Sequence, residues 1–220
     1  MDSTKQKIQV VVFVSGGISP VLERWLHARF DHGDILLVHG GGAYCGAESI
    51  AIRRNKVVKD FLAGKKEYDW LLMIDEDAWP LPQTDDLLTD SRPVTGCRYI
   101  SKAGVEAHAG DGEVGCHFMK VSRQALLTIR DSDAFDSHRG WFAIEQDHDG
   151  TRLDRCECSY FCRLARTCGI HPHKVGRVGH VMAMVVAPKD GGGTMLNYLG
   201  RAYAEVELLG DALPPTESEG

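Results

Sequence analysis

The sequence predicts an α/β protein built on a central, mostly parallel sheet flanked by helices. Three observations predict it. Trp70 to Ile74 is an apolar run with no polar alternation, the pattern of a strand covered on both faces. Ile8 to Val14 and Ile35 to Val38 have the same character. The two stretches between these runs have helical spacing. The first eighty residues therefore read strand, helix, strand, helix, strand, which requires right-handed crossovers onto a parallel sheet.

The elements follow in order. Ile8 to Val14 is broken by Ser15-Gly16-Gly17. Ser19 can cap a helix with Pro20 at its first position, and Val21, Leu22, Trp25, Leu26 and Phe30 keep helical spacing. Ile35 to Val38 runs into Gly40-Gly41-Gly42, and a helix over Ala47 to Ala63 stops at Gly64. Glycines thus follow two of the first three strands, where they let backbone approach a ligand closely. This half reads as Rossmann-like and nucleotide-binding, with Ser15 at the turn after the first strand as a candidate contact.

After Pro82 the pattern changes. Pro93 to Ile100 and Gly115 to Val121 read as strands, and Ser122 can cap a helix through Ile129. Asp131 to Thr151 is polar and aromatic without periodicity, and is expected to hold a substrate loop around Trp141 and Phe142. A helix over Asp154 to Cys168 stops at Gly169, and Lys174 to Val181 is a strand. Asp190 to Gly193 reads as a hinge or lid, Thr194 to Leu209 as a terminal helix, and the Pro- and acid-rich tail from Asp211 as disordered. The expected organisation is one domain over 1–210, with a nucleotide half at 8–80, an acceptor and metal half at 93–181 and a C-terminal helix at 194–209, then a flexible tail at 211–220.

Composition narrows the function classes. With 220 residues, 43% hydrophobic and 25% charged, the chain has an ordinary globular composition. A net charge of −6 argues against a nucleic-acid binder that works by neutralising phosphates. No apolar run is long enough to span a membrane. Met1 to Lys7 is polar and leads directly into a strand, unlike a signal peptide. Seven cysteines, an odd number in a chain of this length, favour a reduced, cytoplasmic protein over a disulfide framework.

The chemistry concentrates where the third strand ends, in Asp75-Glu76-Asp77. The carboxyl edge of an open α/β sheet is where ligands bind. Positions i and i+2 share a side of a strand, so Asp75 and Asp77 can converge on a hard cation, Mg²⁺ or Mn²⁺, while Glu76 points away. A solvated acidic turn before Pro80 and Pro82 is the plainer alternative. Arg54 falls on the apolar stripe Ala47, Ile50, Ala51, Val57, Val58, Phe61, Leu62. It must snorkel, pair with a carboxylate or reach a ligand, and Asn55 beside it adds a second polar group. Glu157 extends the inward stripe Tyr160, Phe161, Leu164, Ala165, Cys168, where it can act as a general base or simply favour the helix N-terminus. His180, after Val178-Gly179, is a structural histidine or a metal ligand.

Together these features resemble glycosyltransferases of the GT-A fold, particularly small bacterial or phage-like members. Asp69 to Asp77 looks like the family's hydrophobic strand ending in a DxD motif. Arg53-Arg54-Asn55 resembles the Arg-Asn pair that opens toward the nucleotide. Glu157 to Gly169 resembles the acidic-pair helix, and Val178-Gly179-His180 the late strand whose histidine completes the metal site in several members. The likeness spans Ile8 to Val181. One departure stands out: Cys158 occupies the place of the second acidic residue, which commonly serves as the base in inverting members. Glu157, Asp154 or Asp149 can take that role, or a retaining mechanism needs no enzymic base.

The resemblance implies transfer of a sugar from a UDP- or GDP-sugar to an unknown sugar or other hydroxyl acceptor. The metal, Mn²⁺ or Mg²⁺, is held by Asp75, Asp77 and His180. Arg54, Asn55, Asp75 and Ser15 meet the donor, Glu157 acts on the acceptor, and acceptor sugar faces stack on Trp141 and Phe142. Three alternatives stay open. A nucleotidyltransferase is one, although the loop Ser15 to Pro20 lacks Lys or Arg. A zinc module over Cys156, Cys158, Cys162, Cys168, His171 and His173 is another, and a non-catalytic nucleotide-sugar binder is the third.

Overall fold

The computed structural model describes residues 6–14, 17–39, 47–64, 67–100, 106–107, 112–146 and 153–180, without the side chains of 47–49, 99–100, 106–107, 153–154 and 180. Ser15, the glycine run at 40–42, Cys45, Asp149, the hinge at 190–193, the helix at 194–209 and the tail lie outside the described residues. The chain divides into two compact units, Met1–His180 and Val181–Gly220, and every described residue belongs to the first.

In chain order the elements are β1 (Ile8–Val14), α1 (Pro20–His27), β2 (Ile35–His39), α2 (Ala47–Ala63), β3 (Trp70–Asp75), β4 (Ala78–Pro80), α3 (Asp86–Thr89), β5 (Val94–Ile100), β6 (Glu106–Ala107), β7 (Phe118–Ser122), α4 (Arg123–Arg130), β8 (Glu145–Gln146), β9 (Leu153–Arg155), α5 (Glu157–Thr167) and β10 (His173–His180). The helix starts are those the sequence chemistry dictates. Ser19 caps α1 by accepting from the Leu22 amide, with Pro20 following it, and Ser122 caps α4 by accepting from Ala125.

The main sheet has the order β2-β1-β3-β7-β5-β10-β4, with β6 on β5. β1 pairs in parallel with β2 and β3, and β10 in parallel with β5. β7 runs antiparallel between β3 and β5, and β4 antiparallel to β10. The fold is the α/β architecture the sequence predicts, with its uninterrupted parallel part in the first eighty residues. β7 lies antiparallel to both of its neighbours, β3 and β5.

Alternation along the strands sorts residues between two cores. Val11, Phe13, Leu71 and Met73 face α2, α4 and α5. Val10, Val12, Leu72 and Ile74 face α1 and α3. Asp75, two residues beyond Met73, is thereby directed to the α2 and α5 side of the sheet.

Two departures from expectation have a plain physical reason. α5 starts at Glu157 rather than Asp154, because Leu153–Arg155 is drawn into an antiparallel pairing with Glu145–Gln146. Cys156 then turns the chain into the helix from an extended conformation, φ −73°, ψ 165°. The stretch around Trp141 and Phe142 is a core segment, not a substrate loop. Trp141 and Phe142 are buried; the Trp141 indole N–H donates to the Leu126 carbonyl at 3.1 Å, and Phe142 stacks on Phe161 at 4.9 Å. Their aromatic surface is consumed by packing, which corrects the expectation that acceptor sugars stack on them.

Candidate active site

The centre of the site is a buried guanidinium. Arg54 sits mid-helix on the inward face of α2, between the buried Ala51 and Val58, and is 1% exposed. Two carboxylates answer it. Its Nη2 donates to both oxygens of Asp75, at 2.7 and 2.9 Å, and its Nη1 donates to Glu157 Oε1 at 2.7 Å. Three elements far apart in sequence therefore meet at one cation: the end of β3, the middle of α2 and the first residue of α5. Of the options for a cation on an apolar stripe, the chain uses the ion pair. Burial opposes the charge, but Asp75 above all, with Glu157 and the nearby thiols, reverses this, and the guanidinium pKa is raised. It stays charged throughout the working pH range.

Asp75 and Glu157 keep 26% and 13% of their side chains exposed, so both remain open to a ligand. Glu157 Oε1 takes the Arg54 bond and faces the Cys158 thiol at 3.8 Å; among the described residues nothing donates to Oε2. Burial raises the Asp75 pKa, Arg54 lowers it in part, and the charges of Asp77 and Glu157 raise it further.

The acidic residues occupy a turn. β3 ends at Asp75 and β4 begins at Ala78, with the Asp75 amide donating to the His117 carbonyl and the Glu76 amide to Phe13. Asp75, Glu76 and Asp77 line a cavity of about 160 Å³ with Phe13, Ile50 and Arg53. Glu76, expected to point away, instead reaches the end of β1 and accepts from the Gly17 amide at 3.0 Å. His180 is opposite Ala78 in the β10–β4 pairing, so its backbone lies one register position from Asp77; its side chain is outside the described residues. Gly179 lies opposite Trp79 in the β10–β4 pairing. A Cβ there would lie 3.2 Å from the Trp79 Cβ, so the glycine admits the neighbouring strand.

Asn55 is spent on a loop. Its Nδ2 donates to the carbonyls of Arg139 and Phe142, and its Oδ1 accepts from the Phe142 amide at 3.0 Å. Gly140 lies against it with φ +73°, and a Cβ there would meet Asn55 Oδ1 at 2.6 Å. Only a residue with no side chain fits both the left-handed backbone and the approach. Cys158 is not placed as a base. It is 7% exposed, its sulfur accepts from the Cys116 amide at 3.2 Å, and hydrogen bonding with Cys116, then burial, holds its pKa well above the ordinary thiol value.

Arg53, which the sequence set beside Arg54 and Asn55 without a role of its own, is placed at the acidic turn. It lines the acidic cavity and also a larger one of about 550 Å³ between β1, β2 and α2, bounded by Val11, Leu36, Val38, Phe61 and Tyr68. Its Nε and Nη1 are buried without a hydrogen-bond partner. The available signal was helical position: one residue before the inward Arg54, a side chain leans toward the sheet edge instead of the core.

A hard cation suits this edge. Among the described residues, Asp75, Glu76, Asp77 and Glu157 bring four carboxylates against the two guanidiniums of Arg53 and Arg54. The excess of two negative charges matches one divalent ion with oxygen ligands. The zinc grouping suggested by the crowded cysteines is not assembled as a whole. Cys162 contacts Val114 and Cys168 contacts Ser132; among the described residues only Cys156, Glu157 and Cys158 bring three ligating atoms within 4.8 Å of one another.

No protein-family model matches the sequence, and no curated protein matches it. Solved structures do match its fold. The crystal structure of A197 from STIV has a TM-score of 0.51 and 17% identity, over 80% of this chain and 86% of that one. The catalytic domain of Drosophila β1,4-galactosyltransferase 7 in complex with xylobiose gives a TM-score of 0.50 and 15% identity, over 89% and 79%. A mutant of that enzyme in complex with manganese, UDP-Gal and xylobiose gives 0.51 and 14% over the same shares. These likenesses show that the chain has the fold of the GT-A glycosyltransferases.

Proposed function

We propose that the protein is a metal-dependent glycosyltransferase that moves a sugar from a UDP- or GDP-sugar to a sugar or other hydroxyl acceptor. The observation that carries the reading is the Asp75–Arg54–Glu157 bridge. It fixes a carboxylate of the DxD-like turn and a carboxylate of the acceptor-side helix to one cation, so donor and acceptor groups hold a constant spacing. Pre-set spacing of reacting groups is a main source of rate in group transfer.

The nucleoside of the donor fits the cavity of about 550 Å³ between β1, β2 and α2, a usual size for a small-molecule site. Arg53, which lines both cavities, meets the diphosphate. Mn²⁺ or Mg²⁺ held by Asp75, Asp77 and His180 would supply Lewis-acid neutralisation of the leaving diphosphate. Arg54 acts by positioning: with both ends engaged, it keeps Asp75 and Glu157 in place. Glu157 Oε2 accepts the proton of the acceptor hydroxyl, the role that Cys158, buried and protonated, does not fill.

The test is Asp77→Ala. Metal-dependent thermal stabilisation by UDP- or GDP-sugars should disappear in the variant while its unfolding temperature without ligand stays unchanged. Wild-type stabilisation by nucleoside triphosphates alone, with release of pyrophosphate, would replace this reading with nucleotidyl transfer. Unchanged turnover in Asp77→Ala would remove the metal from the turn.

A further inference from the structure

We propose that Cys156, Glu157 and Cys158 form a binding site for a thiophilic divalent cation, of the Zn²⁺ or Cd²⁺ class, at the N-terminus of α5. The two sulfurs and a carboxylate oxygen lie within 4.8 Å of one another. On a tetrahedral ion with Zn–S near 2.3 Å and Zn–O near 2.0–2.2 Å, such atoms stand about 3.5–3.8 Å apart, so small side-chain rotations close the set. The backbone produces this arrangement. Cys156 is extended and Glu157 helical, and the change of conformation between them brings three successive side chains to one point.

The surroundings suit thiolates once a cation is present. Cys158 Sγ accepts the Cys116 amide at 3.2 Å, and Ser159 Oγ lies 3.5 Å from Cys156 Sγ. Hydrogen bonds of this kind orient metal ligands. The positive end of the α5 dipole favours negative sulfur. Both cysteines are free of disulfides. Charge also balances locally: two thiolates and the Glu157 carboxylate are matched by one divalent ion together with Arg54, which already donates to Glu157.

Without a cation the thiols hold their protons. An ordinary thiol is protonated at neutral pH. Binding therefore replaces two S–H bonds with two metal–sulfur bonds and releases two protons to solvent, with no change of oxidation state. Affinity rises with pH accordingly. The donor set separates this site from the all-oxygen turn at Asp75–Asp77: Mg²⁺ and Mn²⁺ prefer carboxylate oxygen, whereas thiolates select softer ions. Because the site uses Glu157, the proton acceptor of the proposed transfer, an ion bound here withdraws that carboxylate from the acceptor, and inhibition of transfer by Zn²⁺ or Cd²⁺ in the presence of Mn²⁺ follows.

The experiment is a Cd²⁺ titration of the reduced full-length protein without any nucleotide sugar, followed by the cadmium–thiolate charge-transfer absorption and by metal content after desalting. Failure of the transferase reading cannot affect this readout. One Cd²⁺ per chain is expected, with the band lost in Cys156→Ser and Cys158→Ser and the affinity about tenfold or more weaker in Glu157→Gln. Cys97→Ser, in the other core, should bind like wild type. Cys156→Ser secures the test against misfolding, since Cys156 is an N-cap without a side-chain cap bond and serine is favoured there. A wild-type protein without the band, a stoichiometric band that survives Cys156→Ser, or an equal loss in Cys97→Ser would each overturn the proposal.

Discussion

Two cations are buried on opposite faces of the same sheet, and they are held in opposite ways. Arg54, on the α2 and α5 side, is gripped by the carboxylates of Asp75 and Glu157. Lys120, on β7 opposite Leu72, is fully buried and donates to Gln6 Oε1 at 3.0 Å, the Leu88 carbonyl at 3.1 Å and the Asp90 carbonyl at 2.5 Å. It also lies over the Trp70 ring at 4.5 Å. Carbonyl dipoles satisfy hydrogen bonds but bring no counter-charge, so burial lowers the Lys120 pKa to about 8, with only partial relief from Asp90. Carboxylates bring full counter-charge, and the Arg54 pKa moves up. Lys120 ties a loop to the sheet. Arg54 holds in place two groups that stay partly open at the sheet edge, and that difference separates a buried charge that only ties the fold from one at the proposed site.

The sharpest way to break the comparison is Arg54→Met. Removing one partner of a buried ion pair typically costs about 3–5 kcal/mol, and here two carboxylates lose theirs. Urea denaturation should show a loss of that order together with abolished activity. Arg54→Lys should recover part of the stability but little activity, because an ammonium lacks the planar fork that reaches both carboxylates. A loss below about 1 kcal/mol in Arg54→Met would mean the bridge behaves like a surface pair.

Glu157→Gln sharpens the catalytic half of the contrast. Glutamine keeps an oxygen for Arg54 but cannot accept a proton. Loss of a general base lowers kcat by about 10²–10⁴-fold while donor affinity, read by nucleotide-sugar titration, should change little. Equal losses in both would make Glu157 a purely positioning group. Asn55→Ala is smaller again. Three hydrogen bonds to the 139–142 segment disappear, leaving backbone groups without their partner, at about 1–3 kcal/mol in chemical denaturation.

How far the sequence reveals this site depends on where the determinants lie. The parallel half was legible because buried strands and amphipathic helices write their periodicity locally: Ile8–Val14 and Ala47–Ala63 appear with the expected bounds. Arg54 and Glu157 stood out because each is a charge on an apolar stripe, and the structure joins them. That Arg54 takes both Glu157 and Asp75 as partners was not legible, since the meeting of α2, β3 and α5 depends on crossovers that no local pattern records. Trp141 and Phe142 misled for the same reason. An aperiodic aromatic stretch looks alike whether it covers a core or greets a ligand, and here Phe161, one turn into α5, claims Phe142. Asn55 read as a second polar group able to reach a ligand because Arg54 stands beside it; a residue's turn around the helix, about 100° per position, sends it to the Gly140 loop.

The most gradual effect is the pH response of Lys120, and it tests the carbonyl half of the comparison. Its native pKa, about 8, lies below the value near 10.4 of an unfolded lysine. Between these limits the unfolded chain binds a proton that the native chain does not, so this group's contribution to stability rises with pH, by up to about 1.4 kcal/mol per pH unit. Below about pH 8 both states are protonated and the penalty is fully present and flat. Other groups pull the opposite way: burial raises the thiols of Cys97 and Cys116, and the hydrogen bond to Asp34 raises Tyr68 to about 12, so native protons are retained where unfolded ones are lost. The measurement is therefore a difference, wild type minus Lys120→Met, from urea unfolding under reducing conditions between about pH 7.5 and 10. That difference should climb with pH. A flat difference would mean that three carbonyl-type acceptors and the Trp70 ring stabilise an ammonium as well as two carboxylates stabilise Arg54, and the distinction between the two faces would rest on geometry alone.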